Sequence, residues 1–97
     1  MNDSRRPVEV FPPGEFLKEE LGARGWSQTD FADILNRPVR LVNEILNGKR
    51  GISPETAQGF ADALGGSAQY WLNLDAAWQL HQMHQRPVSQ HDTVARR

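Results

Sequence analysis

Cysteine is absent from all 97 residues, which excludes disulfides, thiolate metal sites and cysteine nucleophiles. Long apolar runs are missing too. No stretch approaches the length that would span a bilayer, and the opening Met-Asn-Asp-Ser-Arg-Arg has no apolar segment behind its charges. A cytoplasmic protein with no membrane partner is therefore expected. Strand signals are scarce, Val8 to Phe11 being the one short candidate, and there is no internal repeat. The chain also lacks a glycine-rich phosphate loop and any nucleophile–base arrangement. Ser27, Ser53 and Ser67 read as helix caps and the acids are scattered along helix faces, so no enzyme, catalytic residue or cofactor is expected. His81 and His84 stand three apart without a neighbouring acid or cysteine, and read as solvated rather than as a metal site. Finally, an excess of basic charge is missing. The formal net charge is -1, so any affinity for phosphate must come from how the cations are distributed.

What is present is a helical pattern sized for one domain, with 38% hydrophobic and 24% charged residues. Residues 1–10 read as a loosely held arm, residues 11–84 as the folded unit and residues 85–97 as a polar tail. Pro12-Pro13-Gly14 followed by Glu15 suits a helix start, and Phe16, Leu17 and Leu21 recur at helical spacing before Gly22 and Gly25. Ser27 with Asp30 three positions on makes a capping-box signal for a second helix through about Leu35, with Phe31, Ala32 and Leu35 as its apolar stripe. Asn36 tolerates positive φ, and Pro38 fits the first turn of a third helix, about 38–47, that closes at Asn47-Gly48. Ser53-Pro54-Glu55 opens a fourth, whose Ala57, Phe60, Ala61 and Leu64 follow the i, i+3, i+4, i+7 pattern as far as Gly65-Gly66. Ser67 caps a fifth, with Trp71, Leu74 and Trp78 expected in the core. Leu72, Ala76, Leu80 and Met83 are left on a second apolar side.

The chemistry concentrates between Trp26 and Arg50. At about 100° per residue, the third helix places Pro38, Val42, Ile45 and Leu46 on one side and Arg37, Arg40, Asn43, Glu44 and Asn47 on the other. The first side can pack on the second helix. The second carries what a major-groove reader uses, since arginine pairs bidentately with guanine, asparagine with adenine, and glutamate accepts from cytosine. Lys49 and Arg50 lie just beyond the helix, within reach of phosphates. Gln28, in the first turn of the second helix, offers its amide and nearby backbone N–H groups to another phosphate.

The run Trp26-Ser27-Gln28-Thr29-Asp30-Phe31-Ala32 through Asn43-Glu44-Ile45-Leu46-Asn47-Gly48-Lys49-Arg50 resembles the helix-turn-helix of XRE/Cro-type repressors. Pro13-Gly14-Glu15-Phe16-Leu17, Val42 to Ala57, and Tyr70-Trp71-Leu72-Asn73-Leu74 together are similar, more narrowly, to HigA-type antitoxins of toxin–antitoxin modules. The likeness covers about residues 11–80, with the segments in the right order. It implies an all-α, five-helix, lambda-repressor-like domain with a central helix-turn-helix. It also implies a dimeric repressor of its own operon that neutralises a small RNA-cleaving toxin of the HigB/RelE-like kind. The family's recognition positions fall on Arg37 to Asn47. Two departures stand out: Asn36 occupies a turn position where glycine is common, and Val39-Arg40-Leu41 replaces more polar residues. Val39 or Leu41 could thereby contact a thymine methyl group as readily as the core.

Two partner surfaces follow as expectations. A single helix-turn-helix covers few base pairs, so a homodimer is expected, through Leu72, Ala76, Leu80 and Met83, with a paired strand over Val8 to Phe11 as the competing contact. The acids Glu15, Glu19, Glu20, Asp30 and Asp33 offer opposite charge to a basic toxin. The alternatives to the antitoxin reading are a stand-alone XRE-type repressor and a helical interaction module that no longer binds DNA.

Overall fold

The computed structural model describes residues 9–85, and among these the chain forms five helices and no strand. They are α1 (Pro13–Arg24), α2 (Gln28–Leu35), α3 (Val39–Leu46), α4 (Pro54–Leu64) and α5 (Ala68–Gln85). Most of the expected arm and tail, and Val8 of the candidate strand, lie outside the described residues. Glu9 to Pro12 are non-helical and unpaired with any strand among the described residues.

Serine caps open α2, α4 and α5. Ser27 accepts from the Asp30 amide at 3.0 Å while the Asp30 carboxylate accepts from the Ser27 amide at 2.9 Å, a reciprocal capping box. Ser53 receives the Thr56 amide at 3.1 Å and Ser67 the Tyr70 amide at 3.1 Å. Pro38 departs from expectation. Its ψ of 143° is extended, so it precedes α3 and does not occupy its first turn.

Three successive helices end by the same device. Beyond α1, α2 and α3 the chain turns through Gly25, Asn36 and Gly48, at φ of 70°, 59° and 73°. In each case the next residue's amide returns to a carbonyl five positions back: Trp26 to Leu21, Arg37 to Ala32, and Lys49 to Glu44. Asn36 does glycine's work in the central turn because its short polar side chain tolerates the left-handed region.

The core is one cluster of Leu17, Leu21, Phe31, Ala32, Leu41, Val42, Ile45, Ile52, Ala57, Phe60 and Trp71. Phe31, Phe60 and Trp71 run through it as an aromatic chain, with centroids 5.3 and 5.1 Å apart and the last pair edge-to-face. α2 packs on α3 and α4, α4 on α5, and α1 on both α3 and α5. The approach of α1 to α3 is very close. A Cβ on buried Gly14 would lie 2.5 Å from the Ile45 carbonyl oxygen and 2.8 Å from that of Leu46.

Two expectations about the core need correction. Leu41 is buried and belongs to it, so it is not available to a thymine methyl group. Trp71 is 2% exposed, but Leu74 and Trp78 are only partly buried. With 18 residues, α5 is about 27 Å long, while the 11 residues of α4 span about 16 Å. The second half of α5 therefore outruns its packing partner, and Trp78 stacks on His81 at 5.4 Å between centroids.

Candidate nucleic-acid interface

α3 divides cleanly. Leu41, Val42 and Ile45 face the core, while Val39, Arg40, Asn43 and Asn47 are exposed, with Glu44 half-buried among them. Two side-chain networks organise this outer face. In the first, Glu44 accepts from Arg40 Nε at 3.0 Å through Oε2 and from Arg50 Nε at 2.8 Å through Oε1. Arg40 lies one turn earlier on the same helix. Arg50 is brought back alongside because Gly48 reverses the chain and the Lys49 amide returns to the Glu44 carbonyl at 2.8 Å. Hydrogen bonds from Arg50 and then Arg40, each carrying positive charge, hold the Glu44 carboxyl below the usual glutamate range.

In the second network Asn47 Nδ2 donates to Asn43 Oδ1 at 3.3 Å, and Asn43 Nδ2 donates to Gln28 Oε1 at 3.1 Å. This chain spans the helix-turn-helix from the end of α3 to the first residue of α2. It fixes three amides whose remaining donors and acceptors suit base edges and phosphate. Lys49 is exposed just beyond. Arg37 is placed apart from these networks, with its guanidinium 3.7 Å from Glu55 in the first turn of α4.

The structure brings together Gln28, Asn43 and Asn47, and separately Arg40, Glu44 and Arg50, as one exposed face. The expected acidic surface is less coherent. The Asp30 carboxylate is held in the α2 cap, Glu20 pairs with Arg24, and Glu15 lies 3.6 Å from Lys18. Glu19 and Asp33 are exposed. On α5, Leu80 and Met83 are 54% and 59% exposed and Ala76 is exposed, but Leu72 is half-buried against the core and only edges that face.

Sequence reasoning missed a groove of about 290 Å³ between the start of α1, the loop after α3, and α5. Pro12, Pro13, Lys49, Arg50, Trp78 and Met83 are among the residues lining it. Asp75, buried on its floor, accepts from Gln79 at 2.8 Å. The signal was there, since Asp75 sits four after Trp71 and three before Trp78 on the core-facing stripe of α5.

Residues 17–71 match the helix-turn-helix family, and the chain belongs to it. Its structural neighbours are HigA-type antitoxins and related antidote proteins. An addiction module antidote protein of the HigA family from Coxiella burnetii is 38% identical, covering 75% of this chain and 80% of its own, with a TM-score of 0.72. The antitoxin HigA of Pseudomonas aeruginosa, solved with the higBA promoter, is 32% identical over 81% of this chain and 84% of its own, also at 0.72. Virulence-associated protein I of Dichelobacter nodosus is 39% identical over 82 residues, 84% of this chain and 76% of that protein. Among the described residues no helix is long and apolar enough to cross a membrane.

Proposed function

We propose that this chain is an antitoxin that represses its own operon by binding operator DNA as a homodimer, and that it also binds and neutralises a small HigB/RelE-like mRNA-cleaving toxin. One observation carries the DNA reading. The solvent side of α3 presents Arg40, Asn43 and Asn47 as an ordered polar face, braced from behind by a fully apolar side. That face fits a major groove, with Gln28, Lys49 and Arg50 at its edges set for phosphate. Arg37, tied toward Glu55, contributes to the positive field more than to base contacts. Val39, 44% exposed, is the residue offered to a thymine methyl group. The Pseudomonas relative solved with its promoter supports the same use of the fold.

Repression of this kind is a cytoplasmic activity and assigns the chain no catalytic role. The two-fold contact falls to Ala76, Leu80 and Met83, with Leu72 at its margin. A basic toxin would be steered by exposed Glu19 and Asp33, with Glu15 and Glu20 contributing through their paired but surface-exposed carboxylates. The stand-alone repressor reading differs by the absence of a toxin gene beside this one, and co-purification with the neighbouring gene product decides between them. The DNA reading is tested by binding to the chain's own upstream duplex. Arg40→Ala should cost about 1–3 kcal/mol on that duplex and relax preference at one base position, whereas Lys49→Ala should weaken specific and random DNA alike. Equal losses from both variants on both duplexes would reverse the assignment.

A further inference from the structure

We propose that Glu44 is a positioning residue that sets DNA specificity through Arg40 and Arg50, and not itself a reader of cytosine. The inference rests on the DNA-binding role just assigned to α3. Both oxygens of the Glu44 carboxylate are already occupied, each by the Nε of a different arginine. Held in this way, each guanidinium uses one of its five donors and keeps its two terminal amino groups. Those form the end-on fork that pairs with guanine O6 and N7, or with two phosphate oxygens.

Exposure separates the roles. The Arg40 side chain is 81% exposed and Glu44 only 23%, so the carboxylate lies behind the guanidinium it holds. A long exposed arginine samples many rotamers unless something restrains it, and Glu44 supplies the restraint at the root of the fork. The arrangement also accounts for a carboxylate on a face meant for phosphate. Glu44 with its two arginines carries a net single positive charge, so the site attracts DNA while giving up some indiscriminate affinity. A direct base contact from Glu44 would require it to release Arg40 or Arg50, or to accept a third donor from a half-buried position.

The experiment compares fluorescence anisotropy on the upstream duplex and on a random duplex of equal length, for the natural chain, E44Q, R40A and the E44Q/R40A double variant. E44Q should bind random DNA several-fold more tightly, because a negative charge has gone, while its operator-to-random ratio falls about ten-fold. In the R40A background, E44Q should lower the ratio clearly less than it does alone, since one of the two arginines through which it acts is absent and only Arg50 remains. An equal fall in that background, or a loss of preference confined to a cytosine position, overturns the proposal. R40K gives a second approach should E44Q fail to fold. Its ammonium keeps the charge but cannot be held at its root while offering a fork, so the ratio should fall with random binding retained. An R40K protein as selective as the natural chain would contradict the mechanism. If the natural chain itself shows no preference for the upstream duplex, the DNA-binding reading fails and the role of Glu44 falls with it.

Discussion

Helices α3 and α5 are both more than half apolar, yet they solve opposite problems. α3 turns Leu41, Val42 and Ile45 into the core beside α1 and α2 and leaves an exposed polar face tied together by side-chain hydrogen bonds. α5 is apolar on more than one side. Trp71 fills the core, Trp78 lies half-covered beside the groove, and Leu80 and Met83 stand in solvent. The difference lies in where each helix's apolar surface goes. A helix with one apolar side has its partner inside the fold, whereas a helix with a surplus apolar side has apolar surface left for a partner outside it.

The largest expected effect tests whether α5 itself divides in this way. Trp71→Ala removes a fully buried indole that meets Phe60 edge-to-face, and should destabilise the domain by about 3–5 kcal/mol. Trp78→Ala, half-buried and stacked on His81, should cost about 1 kcal/mol. Urea denaturation of both variants gives the two numbers, and equal losses would mean that the outer half of α5 is core after all.

Next comes the seam that fixes α3 from behind. Gly14→Ala pushes a methyl group into the Ile45 and Leu46 carbonyls and should cost about 1–3 kcal/mol. Gly22→Ala, on the same helix but with nothing within 4 Å, should instead stabilise by about 0.5–1 kcal/mol. Thermal unfolding of the pair checks the opposite signs. A third test falls on α5's outer face, where Leu80→Glu with Met83→Glu should barely change folding, within about 0.5 kcal/mol, yet convert a dimer to monomer in sedimentation. A double variant that remains dimeric would move the two-fold contact elsewhere.

Much of this was legible in the sequence because it depends on local chemistry. Ser27, Ser53 and Ser67 cap their helices through their own hydroxyls, and Asn36 adopts the positive φ that its side chain allows. Periodicity gave the outer face of α3, since its apolar and polar residues separate at helical spacing. What stayed hidden depends on neighbours distant in sequence. Leu41 reads as a possible base contact until α3 is seated in the core. Gly14 reads as one more helix-start glycine until the α3 carbonyls arrive beside it. That Arg50 shares the Glu44 carboxylate with Arg40 shows only once the turn at Gly48 brings it back alongside. Asp30 looked like part of an acidic surface, although the same spacing that made it a capping residue already committed its carboxylate.

The smallest expected effect concerns the polar face of α3 alone, and it is a matter of pH. Arg50 and Arg40 hold the folded-state pKa of Glu44 below its ordinary value, so folding favours the ionised form. A carboxyl depressed in this sense stabilises the fold at pH values above its unfolded pKa, and that contribution disappears as pH falls through the folded pKa. The difference in stability between the natural chain and Glu44→Gln should therefore be constant from neutrality down to the ordinary carboxylate range, and shrink below it. Subtracting the two curves removes Asp30, Glu20 and every other acid common to both proteins. Because the Arg40 end of the network is exposed, added salt should reduce the difference at neutral pH as well. Denaturant midpoints collected from pH 7 to pH 3 at low and high salt measure both dependences. A difference that grows as the pH falls would mean that Glu44 is favoured protonated in the fold, and the arginine network of α3 would then not be what holds it.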